Sequence, residues 1–224
     1  MYYPNHLPYH NSPFLLTEEE CENPRQVIPF FFDCYGYPLT MHYLQLWINT
    51  AFAYRRFNHR TALEMLDIKS QLMRLLEAAS ILTDNGLSDI PAADTDLFNP
   101  CWYYDPCPGY TAWDFFPRHL SQQEYRTPYL VLEECTRKRT LPEWRSILDD
   151  LYDSACYRST NGEVQSGTIY QDTNEDNIMQ RCRQLLKLVE ACHQILVREI
   201  AVPEASKAGA TAKKTSTVKK AAHA

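Results

Sequence analysis

The residues best suited to chemistry are a carboxylate and an imidazole in the segment Glu190-Ala-Cys-His193. Their spacing places both side chains on one face of a helix. Carboxylate-bridged di-metal proteins need a Glu-x-x-His pair on each of two helices, but a similar segment at Glu77 has Ser80 instead of an imidazole. A dinuclear site would therefore lack a ligand, so the sequence predicts neither a metal nor another cofactor. We expect both glutamates to be solvated carboxylates or helix-capping partners.

Three aspartates that share a predicted helix are a second candidate site. Asp149, Asp150 and Asp153 could hold magnesium, but an exposed acidic face is the interpretation we favour. The sequence has no phosphate-binding glycine loop, no nucleophile elbow and no HExxH motif, and its six glycines leave little material for such a loop. Its eight cysteines include no CxxC pair, so we expect buried free thiols rather than a zinc site. The sequence therefore predicts a protein without enzymatic activity.

The segment around each glutamate occurs twice in the chain. Residues 71–82 read QLMRLLEAASIL and residues 184–195 read QLLKLVEACHQI, at an offset of 113. Upstream, an offset of 104 pairs Val27 with Val131 and Pro38 with Pro142. Helical periodicity does not require these upstream matches, so they indicate a duplicated unit.

Each copy also carries the signals of several helices. Thr17 with Glu20, and Ser121 with Glu124, have the spacing of capping boxes. We therefore predict an all-α fold of about four helices per copy, packed as a pseudo-twofold bundle with extended Pro/aromatic straps. Residues 1–203 would form one domain, with repeats at about 12–83 and 116–200 joined by a connection at 84–115. Residues 204–224 should be a disordered basic tail.

The connection between the copies is rich in aromatic residues and proline. Residues 97–116 read LFNPCWYYDPCPGYTAWDFF. Such a segment could be a strap that buries its rings against the helices, or a face that binds a partner. The candidate partner-binding residues are Trp102, Tyr103, Tyr104, Tyr110 and Trp113.

Charge is distributed unevenly along the chain. The net charge is −6, and residues 205–224 contain five lysines and no acid, which leaves −11 for residues 1–204. An acidic body is a poor surface for nucleic acid, so only the tail could act as a nucleic-acid tether. Its lysines are Lys207, Lys213, Lys214, Lys219 and Lys220.

These patterns favour a non-enzymatic interaction or scaffold protein whose partner is another protein. A nucleic-acid-associated accessory protein that uses the basic tail is the alternative, and a metal-dependent bundle enzyme built on Glu77, Glu190 and His193 is a third hypothesis. Self-association and weak nucleic-acid contact through the tail are compatible with the leading hypothesis. No run is long and apolar enough to cross a bilayer, and the start lacks the features of a secretion signal. We therefore expect a cytoplasmic protein without membrane contact.

Overall fold

The computed structural model describes residues 15–52, 59–86, 109–161 and 179–199, which are mostly helical and contain no strand. This confirms the predicted all-α class. None of the helices in these ranges combines the length and the apolar character needed to cross a lipid bilayer. The helices are α1 (Glu18–Glu22), α2 (Val27–Tyr35), α3 (Tyr37–Phe52), α4 (His59–Asp84), α5 (Gln122–Arg126), α6 (Tyr129–Lys138), α7 (Leu141–Asn161) and α8 (residues 179–199), with short 3-10 helices at Pro24–Gln26 and Ala112–Phe115.

Both predicted capping boxes are present at the starts of the short helices α1 and α5. The Glu20 amide donates to the Thr17 hydroxyl, and the Thr17 amide donates to the Glu20 carboxylate at 2.9 Å. Ser121 and Glu124 make the same reciprocal pair, at 2.6 Å for the Ser121 amide. Each box satisfies amides that a helix start leaves without intrahelical partners.

Two helix boundaries differ from expectation. The spacing of Thr61 and Glu64 predicts a cap at the start of α4, and the polar stretch 158–173 predicts an exposed loop, whereas helix extends back to His59 and forward to Asn161. Once a helix is packed, each further residue gains a hydrogen bond for the one backbone unit that it fixes. Such extension therefore needs no side-chain cap. Most of the predicted loop, like the tail, lies outside the described residues.

One core is shared between the N-terminal helices α1 to α4 and the C-terminal helices α5 to α8. α3 packs against α7, and α4 packs against α2, α6 and α7. Trp47 of α3 and Trp144 of α7 are fully buried in one cluster, and the Trp144 indole donates to the Cys135 carbonyl at 2.9 Å. Burying a large apolar side chain contributes about 1.5–3 kcal/mol. This shared packing positions the long helices that carry Glu77 and Glu190.

Candidate functional site

Glu77 lies on α4 and is completely buried. Its Oε2 accepts hydrogen bonds from the backbone amides of Leu15, at 2.7 Å, and Leu16, at 3.2 Å. Arg145 of α7 brings a guanidinium nitrogen to 3.7 Å from Oε1. The carboxylate therefore anchors the chain that leads into α1. A solvated carboxylate is therefore wrong for this residue. Because Leu15 and Leu16 precede the Thr17 N-cap, Glu77 binds the segment before α1 rather than capping the helix itself.

Glu190 on α8 has a similar set of contacts. Its Oε1 accepts from the Arg118 amide at 2.8 Å, and its Oε2 accepts from the amides of His119 and Leu120 at 2.7 and 3.1 Å. Burial raises the pKa of Glu190, although the three amides and the nearby His119 ring act in the opposite direction. Here too the carboxylate anchors the chain that leads into a short helix, α5, rather than facing solvent.

An ion pair accompanies each anchored carboxylate. Arg74 of α4 pairs with Glu20 at the start of α1, and Lys187 of α8 pairs with Glu124 at the start of α5. Each pair joins the short helix to the long helix behind it. Burial by itself would raise the pKa of Glu20, but the Thr17 amide and the Arg74 guanidinium outweigh burial, so that the pKa is lowered. The capping carboxylates therefore have two roles, since they bind both a helix start and a cation.

His193 lies in an aromatic cluster rather than beside a metal-binding group. Its ring stacks on Tyr37 at 4.1 Å between centroids with 14° between planes, and it meets the Phe32 ring edge-on at 5.3 Å. Burial lowers the pKa of His193 to about 3, so the imidazole is neutral. Within the described ranges, no group of three His, Cys, Asp or Glu side chains is arranged to hold a metal ion. The described residues therefore contain no set of side chains that could act as the ligands of a di-metal site.

The three aspartates of α7 lie at the surface. Asp149 pairs with Lys69 of α4, while Asp150 and Asp153 are exposed. Burial and the neighbouring carboxylates of Asp149 and Asp153 raise the pKa of Asp150. The favoured interpretation, an exposed acidic face, agrees with these positions.

The thiols that the structure describes differ in burial. Cys135, Cys182 and Cys192 are buried, Cys21 is half-buried and Cys34 is exposed. Burial raises the pKa of Cys135 and of Cys182 to about 12. A thiol needs its thiolate form to act as a nucleophile, so these two are inert at neutral pH. The prediction of buried free thiols is confirmed for Cys135, Cys182 and Cys192 and is wrong for Cys34.

Two of the aromatic candidates lie in the described residues, and one is packed against the helices whereas the other faces solvent. Tyr110 is half-buried and packs against the core, whereas Trp113 exposes 72% of its surface. Trp113 lies on the 3-10 helix Ala112–Phe115, where the Thr111 amide donates to Asp114 at 2.7 Å. Phe115 from the same turn is buried and stacks on Tyr37. Trp102, Tyr103, Tyr104 and the five tail lysines lie outside the described residues.

Sequence reasoning missed two exposed apolar side chains elsewhere in the described residues. Phe30 and Leu66 are about half-exposed apolar side chains, and the Arg74 guanidinium covers one face of the Phe30 ring at 5.2 Å. The buried residues Val27, Ile28, Phe31 and Phe32 share one face of α2, and helical spacing places Phe30 off that face. The signal that could have found it is the pair Phe31 and Phe32, which already fill the inward face of α2.

Comparison of the chain with protein-family models, with curated proteins and with solved structures found no match.

Proposed function

We propose that this protein is a non-enzymatic interaction or scaffold protein that contacts a protein partner through the surface around Trp113. The observation that carries the proposal is the 72% exposure of this indole, which is the highest among large apolar side chains in the described part of the chain. Trp is among the residues that contribute most to binding energy in protein interfaces. Its turn begins at a capping box, and the Phe116 ring lies 6.0 Å from the indole between centroids.

The roles of the buried polar groups support a function without catalysis. Glu77 and Glu190 direct their oxygens at backbone amides, and His193 is a neutral ring among aromatic neighbours. A catalytic acid or base must reach the reacting group of a substrate. Side chains engaged in holding the fold are poorly suited to that task, so these three residues are structural in this proposal.

The proposal includes the duplicated architecture. Matching contacts support it: the Thr17 and Ser121 caps are followed by C-cap residues with nearly equal backbone angles, φ −130° and ψ 72° at Asn23 and φ −130° and ψ 74° at Thr127. Glu77 and Glu190 make the same kind of backbone contact on matching helices. Independent helices would not be expected to share a cap, an ion pair and a buried anchor in the same order.

Such a unit would present two related faces on one rigid body, which suits a scaffold. Burial of apolar surface between the halves explains why one copy would be marginal by itself. We place the protein in the cytoplasm in this proposal. Self-association is a compatible outcome, with Trp113 as the expected contact.

Affinity capture from the native host tests the proposal. Wild-type protein, Trp113→Ala and Leu66→Ala would be immobilised, and the bound proteins identified by mass spectrometry. Leu66 is a matched control because it is also an exposed apolar residue. A specific partner should be retained by wild type and by Leu66→Ala and lost with Trp113→Ala. Equal retention by all three variants would contradict the proposal.

A further inference from the structure

We propose that the corner between α6 and α8, formed by Arg139, Arg181 and Gln184, binds a phosphate group. Whether the group is free or carried by a phosphorylated side chain of a partner, the chemistry that recognises it is the same. This inference does not depend on the surface around Trp113.

The Arg139 side chain is held in position by contacts with two other helices. Arg139 is the first residue after α6, and its backbone is extended, with φ −146° and ψ 146°. Its guanidinium donates to the Gln184 amide oxygen on α8 and lies 5.3 Å from the centre of the Trp144 ring on α7. Because this long side chain is already ordered, little conformational entropy is lost when a ligand binds to it.

The charge of this guanidinium is not neutralised by an ion pair. Within the described residues, no carboxylate forms a salt bridge with Arg139. The carboxylates that influence its pKa, Glu143 and Glu134, have other partners. Glu134 pairs with Lys138 at 2.5 Å, and Glu143 accepts from the Thr140 amide at 2.7 Å. The half-buried cation is therefore available to an anion from outside.

Arg181 adds a second positive charge to the corner. Burial, followed by the charge of Arg181, lowers the pKa of Arg139, so the two guanidiniums are close enough to repel each other. Asp150 of α7, on whose pKa Arg181 also acts, is the internal competitor for the second charge. A phosphate group carries about −1.5 to −2 charges at neutral pH, whereas a carboxylate carries a single charge. Two neighbouring guanidiniums therefore match a phosphate better than a carboxylate.

Gln184 adds a neutral donor to the two cations. Its side chain is buried, with 5% of its surface exposed. Because the amide oxygen accepts from Arg139, the orientation of the amide is set, and its nitrogen is a buried donor without a hydrogen-bond partner in the described part of the chain. Such a donor is costly to leave unpaired. An oxygen of a bound phosphate would satisfy it.

The first copy lacks the two cations. In the proposed register of the duplication, the arginines correspond to Tyr35 and Ile68. The glutamine is retained as Gln71, but it accepts from Arg74 of its own helix at 3.2 Å. The helices of the first copy form without this pair of charges, so the framework does not require them. A group that occurs in one copy alone is better explained by binding than by folding.

Phosphate titration of the full-length protein tests the inference. Inorganic phosphate would be added to isotope-labelled protein at constant ionic strength, with chloride as the reference anion, and followed by NMR. The Gln184 side-chain amide signals should shift and saturate with phosphate but not with chloride. Arg139→Gln should weaken the affinity about tenfold, because it removes charge-assisted hydrogen bonds. Arg137→Gln is the matched control, since Arg137 is an exposed arginine of α6 that pairs with Glu133, and it should leave the affinity unchanged.

A second variant separates binding from stability. Gln184→Glu keeps an oxygen that accepts from Arg139 but replaces the donor with a negative charge. Phosphate binding should be lost in this variant, while circular dichroism melting shows a fold as stable as wild type or more stable. Signals of wild type that respond equally to phosphate and chloride would overturn the inference. Wild-type affinity in Arg139→Gln would overturn it as well.

The source of the phosphate is distinguished by a peptide arm of the same titration. A phosphoserine peptide that binds more tightly than inorganic phosphate, while its unphosphorylated form does not bind, assigns the group to a partner protein. Equal affinities for the phosphopeptide and inorganic phosphate assign it to a free phosphate compound. Absence of binding by both would show that the corner is not a phosphate site.

Discussion

The imidazole of His193 stacks on the ring of Tyr37, and this contact joins α8 to α3 across the two parts of the chain. The ring planes differ by 14°, and His193 exposes only 6% of its surface. A polar ring thus serves as part of the apolar core. Its neutral state is a condition of the fold, because the charged form of a buried group is strongly disfavoured.

The stability of the protein should therefore fall as the pH drops below the ordinary pKa of histidine. The folded state holds the pKa of His193 near 3, against 6.5 for an unperturbed ring. Between these values the unfolded chain takes up a proton that the folded chain does not, at a cost of about 1.4 kcal/mol per pH unit. Urea denaturation at a series of pH values measures this slope. The slope should be much smaller in His193→Phe, and equal slopes in the two proteins would contradict the assignment.

Replacing either anchoring glutamate should destabilise the fold. In Glu190→Gln, one of the two accepting oxygens becomes an amide group that cannot accept hydrogen bonds from the backbone. Glu77→Ala removes the single oxygen that accepts from Leu15 and Leu16. Leaving buried donors unsatisfied costs about 1–3 kcal/mol, which denaturation midpoints would reveal. Glu22→Gln is the control, since Glu22 is exposed. An effect no larger than that of the control would count against the anchoring role.

The destabilisation caused by Glu190→Gln should also change with pH in a defined direction. Burial raises the folded-state pKa of Glu190 above its unfolded value. The associated stability is therefore complete below the unfolded pKa and is lost as the pH rises through the folded pKa. Glutamine does not titrate. The difference in the free energy of unfolding between wild type and Glu190→Gln should therefore narrow as the pH rises across this range. A gap that widens with pH would show that the sign of the shift is wrong.

Thiol reactivity should follow burial. At neutral pH a maleimide should modify the exposed Cys34 in native protein and spare Cys135, Cys182 and Cys192. The reason is that burial both blocks access and raises the thiol pKa. Peptide mass spectrometry after labelling measures the modification of each site, and labelling in denaturant provides the control. Rapid modification of Cys135 in folded protein would contradict this packing.

Removal of the tail separates the leading function from its alternative. If the five tail lysines form a nucleic-acid tether, a chain that ends at residue 204 should lose retention on nucleic acid at low salt, because such binding depends on neutralising phosphates. Partner capture through Trp113 should be unchanged by this truncation. Loss of the captured partner on truncation would instead assign binding to the tail.

Local patterns allowed much of the helical framework to be predicted. The Thr17 and Ser121 caps lie where their sequence spacing indicates, because a cap depends on residues only three positions apart. Glu77 and Glu190 could be matched to each other from the sequence, but their burial could not. The buried oxygens accept from amides 61 to 72 residues away in the chain, a separation at which periodicity carries no information.

The sequence likewise could not predict that Tyr110 and Trp113 differ in exposure. Tyr110 and Trp113 occur in one aromatic segment, yet one packs against the core and the other faces solvent. The difference arises from the direction of the 3-10 turn, in which Phe115 takes the buried position. Composition indicated an aromatic segment that could be a buried strap or a binding face, and only the turn geometry distinguishes Trp113 from Tyr110.

Site-specific photo-crosslinking at position 113 tests the central claim most directly. A photoreactive phenylalanine analogue would replace Trp113 in protein expressed in the native host, and the same analogue at Leu66 would be the control. The account predicts a discrete covalent adduct with another protein chain from position 113 and little from position 66. No adduct at position 113, or the same adducts from both positions, would contradict it.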